Sequence, residues 1–203
     1  MTARITVPAT REISLPLPFS AQMLRAVRAH QKTQTRRVVR GQLKLVSGRT
    51  LFESASPSWE ADDEEVLALW PQKLTCPYPV GATLWVKEGV EKRNGRAVYS
   101  ADGAPVKQLK TWRWKRDFLP AMFCPRELSR IHLEVTGRRI ERLTNITEAD
   151  ALAEGIVPSP GYPAVPAYAQ LWDQLNADRG YSWHVNPWVW VVHFKLIEAR
   201  RAA

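Results

Sequence analysis

Apolar and polar residues alternate with period two in several stretches of the chain and recur with helical spacing in others. Ile13, Leu15 and Leu17 alternate with Ser14, Pro16 and Pro18, which predicts a short strand that the prolines confine to a sheet edge. Ser20 then offers an N-cap with Phe19 as a hydrophobic staple, and Met23, Leu24 and Val27 give a helix through about His30. Thr83–Glu88 alternates as a strand, and the strands around Asn94-Gly95 predict a type I′ hairpin. From Arg130, the apolar Ile131, Leu133 and Val135 alternate with His132, Glu134 and Thr136. A long strand therefore runs past Gly137, which marks a bulge or bend, toward Leu143. Thr147 caps a short helix, with Asp150 closing a capping box and Gly155 stopping it. Tyr168, Leu171, Trp172 and Leu175 mark a further amphipathic helix. Trp188–Ile197 is the most apolar stretch and reads as a buried central strand. Short strands of this kind, mixed with helices, predict an α+β fold: a small mixed, mostly antiparallel β-barrel with flanking helices.

The length of 203 residues suits one domain spanning 1–203. Within it, about 40–75 is broken by Gly41, Ser47, Gly48 and Pro57 and carries the acidic run 62–65, so it reads as a surface insertion. Residues 101–126 read as a long loop. There Trp112 and Trp114 are interleaved with Lys110, Arg113, Lys115 and Arg116, a composition that serves equally to contact nucleic acid or to pin a loop to the core.

Charge narrows the partners. Lys and Arg number 29 against 20 acids, a net charge of +9, which favours a polyanion or a phosphate-bearing substrate. Cys76 and Cys124 form no CxxC pair, and His30, His132, His184 and His193 lack metal-ligand spacing. These counts predict no zinc site, no disulfide framework and no cofactor, and make a reducing cytoplasm the default location. Residues 1–19 mix charge with proline, which argues against a signal peptide or a membrane span.

The densest chemistry lies in Gln31-Lys32-Thr33-Gln34-Thr35-Arg36-Arg37, seven residues without a large apolar side chain. Such a segment belongs at a surface or along a cleft. As a helix end it would place Lys32 and Thr35 on one face, with the basic residues near the C-terminal dipole.

In sequence order, several short motifs together resemble the ASCH domains of the PUA-like barrel superfamily, in the longer form met in phage and prophage genomes. They are Lys32–Arg37, Cys76-Pro-Tyr with Gly81–Glu88, Ser129–Val135, Arg142-Leu with Thr147–Gly155, Leu171-Trp-Asp and Asn186–Trp190. The resemblance implies RNA binding, nuclease activity or, in one bacterial branch, hydrolysis of N4-acetylcytidine without a metal. For that branch it implies Thr35 as nucleophile, Lys32 as proton acceptor and Glu154 as proton donor. A threonine hydroxyl needs such a base, and a lysine serves as one only when burial or neighbouring cations such as Arg36 and Arg37 lower its pKa. Arg36, Arg37, Trp85 and Glu88 are candidate substrate-binding residues, with a core position the commoner fate of a residue like Trp85. The expected partner is a nucleoside or nucleobase, with nucleic acid as the rival. The rival function is a non-catalytic module that recognises a modified base, or a nuclease.

Overall fold

A computed structural model describes residues 13–39 and 76–197. The insertion expected at about 40–75 lies outside the described residues, as do the chain's first 12 residues. Among the described residues, eight strands form two sheets. The larger has the order β1-β3-β7-β8-β2, where β1 is Ser14–Pro18, β2 Gln34–Val38, β3 Thr83–Lys87, β7 His132–Arg142 and β8 Trp188–Ile197. The smaller consists of β4 (Val90–Arg93), β5 (Arg96–Tyr99) and β6 (Phe118–Leu119), in the order β5-β4-β6. Among the described residues, every pairing is antiparallel except β1 with β3. The mixed, mostly antiparallel α+β architecture expected of the chain is therefore the one observed. The parallel β1–β3 pair is an addition that alternation along β1 alone does not reveal.

The long strand β7 and the apolar strand β8 pair along almost their whole length and form the spine of the larger sheet. Their register slips between Val135 and Gly137, so the bulge expected at Gly137 is real. Asn94 and Gly95 both take positive φ, as a type I′ turn demands. β8 presents Trp190, Val192 and Phe194 to one core cluster, with Leu17, Phe19, Leu84, Val86, Leu133 and Val135. Its opposite face gives Val189 and Val191 to a second cluster with Tyr168 and Trp172. A strand buried on both faces explains why its sequence is nearly all apolar.

Among the described residues, three α-helices flank the sheets. α1 (Ala21–Arg28) is capped by the Ser20 side chain. α2 (Glu148–Ala153) carries the expected capping box of Thr147 and Asp150. α3 (Ala164–Asn176) starts where the Glu148 carboxylate accepts from the Ala164 and Val165 amides, so the first residue of α2 satisfies the open N-terminus of α3.

Residues 101–126 are less open than a loop. Val90, Tyr99, Val106, Leu119, Cys124 and Leu128 form a third apolar cluster, against which Trp112 and Trp114 pack. The Trp112 indole N–H donates to the Arg116 carbonyl. Of the two uses open to these tryptophans, pinning the loop is the one the contacts display. Among the described residues, no helix is long and apolar enough to cross a membrane.

Candidate functional site

The site is built where β2 leaves α1. His30 takes a positive φ, the Gln31 and Lys32 amides fold back onto the Ala26 carbonyl, and the chain turns directly from helix into extended backbone. Lys32 then forms a bridge with Glu154, and the Thr33 amide donates to Ala153 O, so the end of α2 docks on the entrance to β2. This corrects the expectation of a solvated helix end that shares one face between Lys32 and Thr35. The segment is extended, and Lys32, Gln34, Thr35 and Arg36 are all buried.

What pays for burying two cations here is a set of acids from distant parts of the chain. The Lys32 amine donates to the Glu154 backbone oxygen and to its Oε2, each at 2.8 Å. Arg36 donates through Nη1 to Glu154 Oε1 at 3.1 Å and through Nη2 to Glu141 Oε1 at 2.6 Å, and its Nη2 lies 3.2 Å from Asp150 Oδ2. Gln34 donates to both the backbone and the side chain of Asp150. Arg139 bonds Asp150 and Glu141 from the other side and donates to His193 Nε2. Removing one member of such a network leaves an uncompensated buried charge.

The other face of β2 differs. Thr35 pairs in register with Val192 and Arg37 with Trp190, residues of the first core cluster. Arg37 Nη1 donates to Thr35 Oγ1 at 2.8 Å and to Arg36 O, while its Nη2 reaches Pro18 O at 3.3 Å. β1 and β2 are the two edge strands of the sheet, so this guanidinium links the edges where the sheet curls. Phe19 lies under both the Arg37 guanidinium and the Lys32 amine.

Thr35, Arg36, Arg37 and Glu154 line one cleft of about 600 Å³. Phe19, Met23, Tyr78, Trp190, Tyr168 and Trp172 give it largely apolar and aromatic walls, suited to a planar ligand. Lys32 is not among the lining residues; its amine supports the Glu154 carboxylate. Burial pushes the Lys32 amine below its ordinary pKa, against the pull of Glu154, with Arg37 and Arg36 adding to the depression. Burial, followed by the Glu154 charge, raises the Tyr168 phenol well above its usual value.

Two expected substrate contacts lie elsewhere. Trp85 stands between the buried Leu84 and Val86 on β3, with the Lys87 amine over its ring, and does not line the cleft. Alternation along the strand sends it to the opposite face from those two core residues. Glu88 is wholly buried and takes two bonds from Arg130, at 2.9 and 2.8 Å, which also binds Asp102. It belongs to a separate ion cluster, and neither residue joins Thr35. Conversely, sequence reasoning passed over Glu141 and Tyr168 as site residues. Tyr168 was visible only as a helix core position, and Asp150 only as a cap.

Fold and cleft together define a mixed, mostly antiparallel α+β architecture with a polar-floored aromatic hollow at the sheet edge. Among solved structures, the chain is similar to an ASCH domain from Lactobacillus crispatus, with TM-score 0.41 and 11% identity over 91% of this chain and 79% of that one. It is also similar to a protein of Enterococcus faecalis assigned to the family DUF984, with TM-score 0.42 and 10% identity over 94% of this chain and 78% of that one. No protein-family model matches the sequence, and no curated protein matches it.

Proposed function

We propose that the protein is an amidohydrolase that removes the acyl group from the exocyclic amine of an N4-acylated cytosine or cytidine. The observation that carries this reading is the meeting of Thr35 and Glu154 in one aromatic cleft, with the Lys32 amine bonded to Glu154 across 122 positions of sequence. Thr35 Oγ1 attacks the acyl carbonyl carbon and loses its proton to the Lys32–Glu154 pair, in which Nζ and Oε2 are 2.8 Å apart. With the shared proton on Oε2, the pair supplies a free amine as acceptor and a carboxylic acid as donor. That acid protonates the cytosine amine as the C–N bond breaks. Water then hydrolyses the threonyl ester and restores the hydroxyl. Arg37, donating to Oγ1, favours the negative charge that develops there during attack.

The test is hydrolysis of N4-acetylcytidine, followed spectroscopically, by the wild type and by Lys32→Ala, Thr35→Ala and Glu154→Ala. The expected result is turnover by the wild type and at least a 100-fold loss in Thr35→Ala, in line with the cost of removing a nucleophile. A wild type without turnover, or three variants as active as it, overturns the reading.

The net charge of +9 favours a second reading, a module that binds nucleic acid containing a modified base without turning it over. Its signature is RNA affinity that falls steeply with salt while N4-acetylcytidine stays intact. Cleavage of labelled RNA would instead indicate a nuclease.

A further inference from the structure

We infer that the Tyr168 hydroxyl is a substrate-contacting donor that holds the acyl carbonyl oxygen while Thr35 attacks, an inference that rests on the amidohydrolase reading. The guanidinium, amine and indole donors around the cleft are already spent. Arg36 directs its bonds to Glu141 and Glu154, and Arg37 to Thr35 Oγ1, Arg36 O and Pro18 O. Lys32 is held by both oxygens of Glu154 that it reaches, and the Trp172 indole N–H donates to Tyr181 O.

Tyr168 is different. The residue is 5% exposed and lines the cleft, and its hydroxyl has no hydrogen-bond partner among the described residues. The hydroxyl is not among the unpartnered polar atoms sealed within protein, and the residue that carries it lines the cleft. A buried phenol normally finds a partner, and an unpartnered one at a cleft wall is poised for a ligand. Its ring is fixed: it packs on Trp172 and Trp183 and stands 5.9 Å from the Arg36 guanidinium carbon. The cleft that Thr35 and Glu154 line therefore also offers a neutral, oriented O–H. A tetrahedral intermediate places negative charge on the former carbonyl oxygen, and a preorganised donor stabilises that charge more than it stabilises the substrate. Burial keeps the phenol protonated, and so a donor, through the working pH range.

Tyr168→Phe removes the hydroxyl and keeps the packed ring. With N4-acetylcytidine the expected result is a fall of about 100-fold in kcat with KM changed less than about threefold, the pattern of a lost oxyanion donor. Wild-type kcat in a folded Tyr168→Phe, verified by circular dichroism, overturns the inference. Trp183→Phe serves as the control: it alters the packing behind the ring and retains the hydroxyl, so an equal loss of kcat in this variant also overturns it. Should the wild type fail to turn over N4-acetylcytidine, the amidohydrolase reading falls first. The donor role is then decided by the affinity of intact N4-acetylcytidine for the wild type and for Tyr168→Phe: tenfold weaker binding in the variant supports the contact with the acyl oxygen, and equal binding ends it.

Discussion

The amine of Lys32 grips Glu154 twice, at the backbone oxygen and at Oε2, so one side chain fixes both the end of α2 and the carboxylate that follows it. The first prediction concerns what this contact is worth. Lys32→Met should destabilise the protein by about 3–5 kcal/mol, the usual cost of leaving one charge of a buried pair without its partner. Urea unfolding at neutral pH measures it. The pH dependence has a definite sign. Burial depresses the Lys32 pKa in the folded state, so between that value and 10.5 the unfolded chain binds more protons. This residue therefore makes stability rise with pH through that window, and Lys32→Met should lose that rise.

Acid should act through two aspartates. Burial favours the neutral form of Asp150, but Gln34, Arg36 and Arg139 outweigh it and hold its pKa at about 2. Arg130, aided by the Ala104 amide and Arg28, likewise holds Asp102 at about 2. Both lie below the ordinary value of 3.8, so the stability they contribute is complete above about pH 4 and is lost as pH falls toward 2. Asp150→Asn should cost stability at pH 7 and shrink the drop in melting temperature between pH 4 and 2. A variant whose acid profile overlays the wild type would contradict this.

Gly155 is a third lever. Its φ is +86°, and a Cβ there would stand 2.8 Å from Ala26 Cβ and 3.0 Å from Lys32 Cβ. Gly155→Ala combines left-handed strain with a clash and should cost about 2–4 kcal/mol. Because the displaced atoms belong to Lys32 and its support, turnover should also fall at temperatures where the variant remains folded. Thermal melts alongside the N4-acetylcytidine assay test both effects.

Glu88 separates stability from chemistry. Glu88→Gln weakens the buried contact with Arg130 and should cost about 2 kcal/mol, the scale of a hydrogen bond to a charged group. It lies off the cleft, so kcat/KM should stay within about twofold of the wild type. Lost activity at unchanged stability would return Glu88 to the substrate site.

Much of the architecture is legible in local pattern. Ser20, Thr147 with Asp150, Asn94-Gly95 and the alternations at 83–88 and 130–143 each carry their own stereochemistry, so their elements can be read from a few neighbouring residues. The segment 32–37 cannot be read in this way. Its composition is that of a surface, and it is buried only because Glu141, Asp150 and Glu154 supply charge from more than a hundred positions away. The resemblance to ASCH domains pointed to Lys32, Thr35 and Glu154, but gave no sign that the amine backs the carboxylate while the hydroxyl answers to Arg37. Trp85 and Glu88 show the converse: residue types suited to a base-binding wall whose strand position and ion partner assign them elsewhere.

The pairing of β2 with β8 has a consequence for how the molecule comes into being. Among the described residues, the strand bearing Thr35 pairs with β8 alone, and the Phe194 amide closes onto Thr33 O. During synthesis, the early strand must wait for residues near 194 to emerge before its ladder can form. Until then the Lys32 and Arg36 cations stay hydrated, and the hollow has no floor. Any chemistry it performs therefore belongs to the finished chain, and a ribosome-bound or C-terminally shortened molecule should have none.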